Sequence, residues 1–334
     1  MRDHGLVARL GQNRSVPVHY SGIIQSVVTL ERQLRNNLTL AVTYSNSHGL
    51  HVFRSTVLPG ASPIFLRESS GVYNQNQLIA NVNAKLKAGL SLFGFYVVNH
   101  AKSNSDGVNT FPANPRDYAG EYGPASTDVR NRVTIGGSMN LKWNVRVSPF
   151  VVLQSGAPFD ITAGSDLYGT TLFNGRPGIA TDAGKLGLVL TKYGLLDPNP
   201  SPGEILLPRN YGRGPGQMNV NLRIAKTIGL GAEQGSSAAG SRPGGGGGNA
   251  TAAAITGRGL GNLIGNPTTN HRFNLTIGIS VRNLLNHTNA GAITGNITSP
   301  LFGLANQVAG GLNGEGFYEN ANNRRLESQV KLTF

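Results

Sequence analysis

The chain contains no cysteine, which excludes disulfide frameworks, thiolate metal sites and cysteine nucleophiles. Charged residues are scarce as well, at 13% of the chain, and unbalanced, giving a formal net charge of +13. A basic excess invites anionic partners, but the 29 lysines and arginines are scattered. No dense basic block interleaved with aromatics occurs, so no nucleic-acid partner is expected. No apolar run approaches the roughly 20 residues that a membrane helix requires. Met1–Val16 also lacks the continuous apolar core of a secretory leader.

What the sequence does have is glycine, 46 residues in 334, beside a hydrophobic fraction of 39%. That balance is too apolar for a disordered tail and too poor in charge for a helical cytosolic enzyme. Many short strands joined by Gly- and Asn-rich turns would produce it.

The hydrophobic residues recur with period two, the signature of strands with one apolar side. Phe273, Leu275, Ile277, Ile279 and Val281 alternate with Arg272, Asn274, Thr276, Gly278, Ser280 and Arg282. At the C-terminus Leu326, Val330, Leu332 and Phe334 alternate with Arg325, Glu327, Gln329, Lys331 and Thr333, and Ser328 is the small polar residue on the apolar side. Met218–Ile224 and Leu38–Ser45 repeat the pattern. Weaker versions run through Ile24–Leu34, Leu78–Leu86, Leu90–Val98, Val133–Leu141 and Val145–Leu153. This predicts about nine to ten strands of roughly ten residues, the length of a tilted membrane-crossing strand.

Alternation alone also fits a soluble secreted β-sandwich, whose apolar side would meet a second sheet. The connections favour a membrane barrel. Arg35–Asn37, Lys87–Gly89 and Lys142–Asn144 are tight, whereas Arg54–Gly71, Ser103–Thr127 and Ser155–Pro215 are long. Short periplasmic turns and long extracellular loops are the habit of outer-membrane barrels. The exception is a Gly-rich stretch at 232–268, expected to be a flexible periplasmic insertion. Arg132, Arg146, Arg223, Arg272 and Arg282 all share the side opposite the aliphatic residues. They are expected to point into the lumen, because a basic side chain facing lipid at mid-membrane costs about 2–4 kcal/mol. A basic lumen favours anionic solutes, unless these arginines pair with carboxylates. Trp143 and Tyr44 are placed as interface aromatics would be.

Chemistry-bearing patterns are weak elsewhere. His48 and His51, three apart in a strand, point to opposite sides and make a poor metal site. Asp160 and Asp166 with Gly169 faintly suggest a calcium loop, without the bidentate glutamate. Gly257–Gly265 has glycine spacing but no preceding strand for a phosphate loop. No catalytic constellation, cofactor site or metal site is expected, and the chain is read as a non-enzyme.

Further stretches resemble a known family. Glu31–Leu34 (ERQL), Leu38–Ser47 (LTLAVTYSNS), His48–Phe53 (HGLHVF) and Ser155–Gly156 with Pro158–Asp160 are similar to passages of TonB-dependent receptors of the Oar-like group with carboxypeptidase-regulatory-like domains. So are Asn174–Gly178 (NGRPG), Leu222–Thr227 (LRIAKT), Asn283–Asn289 (NLLNHTN) and Ser299–Gly303 (SPLFG). The resemblance implies an all-β fold, the C-terminal part of an antiparallel transmembrane barrel of roughly 22 strands, in the Gram-negative outer membrane. Residues 1–15 would be a loop or truncation remnant and 16–334 a partial barrel lacking its plug. Phe334 would be the terminal signal for the barrel-assembly machinery. Other partners implied are outer-membrane lipid, an unidentified solute, and the TonB complex and plug if an upstream part exists. The alternative from another class is a non-transporting surface barrel or adhesin.

Overall fold

The computed structural model describes residues 6–8, 16–18, 20–58, 63–86, 89–118, 120–233, 269–309 and 323–334. Nine long strands account for the periodic segments: β1 Gly22–Arg35, β2 Leu38–Leu58, β3 Ile64–Lys85, β4 Leu90–Ser103, β5 Asn131–Leu141, β6 Val145–Gln154, β7 Gln217–Glu233, β8 His271–Arg282 and β9 Arg325–Thr333. With the short Gly123–Pro124 segment they form one ten-stranded sheet in sequence order, β9-β8-β7-β6-β5-β4-β3-β2-β1. Every pairing in it is antiparallel. Each strand therefore meets its sequence neighbour, as a meander of hairpins must.

Register carries the alternation from strand to strand. Ile277 lies opposite Val330 and Lys226, and Ile279 lies opposite Ile224 and Ser328. Thr276 lies opposite Thr227 and Lys331. Opposed residues share a side, so the aliphatic side chains make one continuous side and the polar ones the other. Lys226 sits on the aliphatic side opposite Val145, the first residue after the Lys142–Asn144 turn, so it lies at the rim.

Burial reverses what a soluble sheet would show. On the aliphatic side Ile277, Ile279, Leu78 and Ile135 are 43%, 51%, 46% and 51% exposed. On the polar side Thr227, Thr276 and Thr43 are 1%, 5% and 3% exposed. The soluble-sandwich alternative fails, because no second sheet covers the aliphatic side among the described residues. A soluble monomer rarely leaves such a contiguous apolar patch in water. On the central strands the polar side is the shielded one, as the interior of a barrel wall is.

Two loop expectations are corrected. Arg54–Gly71, read as a long loop, is mostly strand: β2 runs to Leu58 and β3 restarts at Ile64. Thr56, Val57 and Leu58 pair with Leu66, Phe65 and Ile64, so the hairpin continues beyond the membrane instead of unwinding. Ser155–Pro215 is folded, with small sheets joining Pro158–Phe159 to Gly212–Arg213 and Gly178–Ile179, Gly194–Asp197 and Val189–Thr191 to one another. Leu6–Ala8, expected in a loop, pairs with Val16–Val18. β7 extends to Glu233, and most of the 232–268 insertion, with Gly257–Gly265, lies outside the described residues.

Candidate functional site

The polar side of the wall is the first component of the site. Its side chains bond to one another across strands: Thr29 with Thr43 at 3.0 Å, Gln75 to Asn99 at 2.7 Å and Thr227 with Thr276 at 2.9 Å. Such ladders satisfy polar groups that would otherwise be costly to enclose. Between β3 and β6 this side turns apolar, with Ile79, Phe95, Val97 and Phe150 all under 9% exposed. The Phe93 ring lies 5.8 Å from Phe95 and 6.4 Å from Phe150. Gly136 makes this possible, since a Cβ there would stand 2.3 Å from Phe93.

Register puts Arg132, Arg146, Arg223 and Arg282 on this polar side, opposite Gln154, Asn140, Ser148 and Arg325, and strand alternation carries Arg272 to the same side at the register shift between Leu230 and Glu233. They are not gathered into one site. Arg132 and Arg282 stand at the extracellular end of the wall, Arg223 midway, and Arg146 and Arg272 near the periplasmic turns. Arg282 pairs with Glu327 at 3.0 Å, Arg223 donates to Gln329 at 2.9 Å and Arg146 to Asn140 at 2.7 Å. Arg272 lies 5.4 Å from the Phe273 ring centre. Four of the five guanidinium groups thus contact other groups of the wall. Phe334 follows the β9 alternation onto the lipid side and is 96% exposed.

The second component was not found from sequence. The connections 104–130, 155–216 and 283–309 lock together with the β2–β3 hairpin into a cap above the lumen. Its apolar centre is Ile161, Leu196, Leu207 and Ile297, with Phe159, Tyr193 and Phe302 packed on it. Arg176 joins Glu121 at 2.7 Å, both 3% exposed, and donates to the Gly120 carbonyl at 2.8 Å. Arg209 joins Asp106 at 2.6 Å, and Arg213 joins the fully buried Asp128. Arg54 lies 4.0 Å over the Tyr118 ring, tying the hairpin to the first connection. Thr162 accepts from Ile297 N–H at 3.0 Å and donates to the Gly295 carbonyl at 2.9 Å.

Three of the family-like stretches, Ser155–Gly156, Asn174–Gly178 and Asn283–Asn289, find their physical reason in this cap. Asn174 donates to Pro112 O at 3.1 Å, so Asn174 and Arg176 of NGRPG clamp two connections. Gly156 must lack a side chain, because a Cβ would stand 1.7 Å from the Gly214 carbonyl. Asn289 bonds both the N–H and the carbonyl of Met218, at 2.7 and 2.9 Å, fastening the cap to β7. Asp166 accepts from Thr170 N–H at 2.9 Å and Thr171 N–H at 2.7 Å. Those bonds, with Tyr168's, hold its carboxyl below the usual range. Asp160 accepts from Asn210 N–H at 2.9 Å and faces Arg176. Both aspartates are engaged by donors of the cap. His48 bonds Asn74 and His51 faces the Ser69 carbonyl at 3.3 Å.

Between cap and wall lies a luminal cavity of about 490 Å³, lined by Gln25, Ser47, Tyr73, Gln75, Ser105 and Thr127 among others. Its amides and hydroxyls can exchange hydrogen bonds with a polar solute. Nothing in it forms a nucleophile–base pair.

At the membrane rims, Tyr44 donates to Asn76 at 2.7 Å and Tyr96 to Asn131 at 2.9 Å, both on the lipid side. The exposed Trp143 occupies the opposite rim in the Lys142–Asn144 turn, at φ 60°. An aliphatic belt between aromatic rims, a polar interior and long connections at one end define the wall of an outer-membrane β-barrel.

The family model of the outer membrane beta barrel domain matches residues 14–237. That is more than half of the chain, which therefore belongs to this family and resides in the outer membrane. A search of curated proteins returns no match. The crystal structure of the outer membrane transporter YddB from Escherichia coli aligns with 94% of this chain at 8% identity and a TM-score of 0.47. The alignment covers 32% of that transporter's chain.

Proposed function

We propose that this chain is the C-terminal wall and extracellular cap of a TonB-dependent receptor that imports a polar solute. The observation that carries the reading is the capped luminal cavity, where loop residues and wall residues of the barrel interior face one another. Among the described residues β1 and β9 each have an unpaired edge, and unpaired backbone groups cannot sit in hydrocarbon. Further strands must complete the wall, which fits a barrel large enough to hold a plug. Solute would bind between cap and lumen and pass inward when the energised TonB complex displaces the plug. The arginines are mostly committed to wall partners, so they shape the lumen's field without forming one anion site. No chemical transformation is assigned to the protein.

The second reading, a non-transporting adhesin, draws on apolar side chains at the cap surface, with Leu186 and Leu190 95% and 82% exposed. Uptake of radiolabelled ferric chelates and acidic oligosaccharides by cells bearing the complete receptor separates the two. Import lost on deleting TonB supports the receptor. Surface binding that persists without import, whether or not TonB is present, supports the adhesin.

A further inference from the structure

On the lipid side of β4 the residues read upward Leu92, Gly94, Tyr96, Val98, His100 and Lys102. The row across the neighbouring strands at Val98 holds Leu78, Tyr44 and Asn131. One row higher stand His100, Asn76 and Asn46, and above them Lys102, Asn74 and His48. Same-side residues are about 6.6 Å apart along a strand. At a tilt of about 40° each row adds roughly 5 Å of height. Lys102 therefore sits about 10 Å above the last aliphatic row, at or just beyond the 5–8 Å or so that headgroups occupy in each leaflet.

A cleft of about 660 Å³ opens at this level, lined by His100, Lys102, Tyr122, Arg130, Tyr211 and Arg213 among others. Its charge is unbalanced. Asp128 is the carboxylate within reach, fully buried, accepting from Ala101 N–H at 2.8 Å and bound to Arg213. Arg130 approaches it at 3.6 Å with its own side chain 56% exposed. Lys102 is exposed, and no ion pair engages it among the described residues. Two guanidiniums and an ammonium thus face one internal carboxylate, leaving an excess of two positive charges. Tyr122, Tyr211 and Asn131 supply neutral hydrogen-bonding groups beside them.

We infer that this outward-facing cleft binds the phosphate-bearing sugar headgroup of an outer-leaflet glycolipid. The aliphatic belt directly below takes the acyl chains, Lys102 and Arg130 take the phosphate, and the tyrosines and Asn131 contact sugar hydroxyls. The site lies outside the barrel, so it is separate from the luminal cavity and independent of what the receptor imports. It anchors the cap to the surrounding leaflet through the Arg130–Asp128–Arg213 group.

The test uses the complete receptor in dodecyl maltoside micelles, titrated with bisphosphorylated lipid A and read by native mass spectrometry. Lys102 and Arg130 are exposed, so the K102Q/R130Q double variant keeps its fold, checked by circular dichroism. At about fivefold per surface cation, the double variant should bind roughly thirtyfold more weakly, and binding should weaken with added salt. Dephosphorylated lipid A should bind the unaltered chain at least tenfold more weakly. Equal binding by the double variant or by the dephosphorylated lipid would overturn the proposal. Competition by millimolar inorganic phosphate would overturn it too, because the ligand would then be free phosphate.

Discussion

The wall and the cap of this protein follow opposite rules. In the wall, the outer side is aliphatic and the inner side polar apart from the patch of Ile79, Phe95, Val97 and Phe150; in the cap, Leu196, Leu207 and Ile161 are buried as in any water-soluble domain. The wall is held by a ladder of backbone pairs between neighbours in sequence. The cap is held by contacts between residues far apart, such as Arg209 with Asp106 and Arg176 with Glu121. Solvent explains the difference. Hydrocarbon rewards an aliphatic exterior and demands closed backbone pairing, whereas water rewards an apolar centre and tolerates irregular backbone.

The comparison can be broken most sharply through the cap's ion pair. Arg176→Ala leaves the Glu121 carboxylate buried and uncompensated, a change that typically costs about 3–5 kcal/mol. Hydrogen exchange should show the cap connections opening while β1–β9 keep their protection; equal loss of protection in both would mean that they form one unit. Next in size, Ile277→Arg puts a guanidinium into the lipid-facing belt at about 2–4 kcal/mol, whereas Ser280→Lys on the luminal side should cost no more than roughly 1 kcal/mol. Unfolding titrations in phospholipid vesicles measure both, and equal costs would deny the two-sided wall.

A smaller effect comes from acid. Burial pushes Asp197 up, but the bound Lys185 ammonium and the Asn199 N–H outweigh it, and its carboxyl lies below the usual range, as does that of Asp166. A carboxyl depressed in the folded state adds stability above its unfolded value, near 3.9, and loses it as pH falls through the folded value. Limited proteolysis should therefore find the cap unchanged from neutral pH down to about 4 and more easily cleaved below it. The wall should resist throughout.

This same contrast sets what could be read from the sequence. Period two is local, so the alternation at Arg272–Arg282 and Arg325–Thr333 was legible, as were the tight turns. That the five arginines share the side opposite their strands' aliphatic residues was legible too, because a strand allows only two sides. Their separation along the wall's height was not, because height depends on where each strand starts. The cap was illegible for a related reason: Arg176 and Glu121 are 55 residues apart, and nothing near either one names the other. NGRPG could be recognised as a pattern without revealing that Asn174 and Arg176 clamp another connection. The β2–β3 hairpin was mistaken for a loop because its upper part, with His51 at φ 56° and shifted register, breaks the alternation.

Cysteine scanning tests the sidedness most directly, since the chain has none of its own. Single cysteines at each position from 273 to 281, spin-labelled in the complete receptor in bilayers, would be probed with oxygen and with a water-soluble nickel chelate. Oxygen collisions should peak at Phe273, Leu275, Ile277, Ile279 and Val281, with chelate collisions, where detected, confined to Asn274, Thr276, Gly278 and Ser280. Oxygen accessibility without period two, or with its phase reversed, would contradict a wall whose aliphatic side faces lipid.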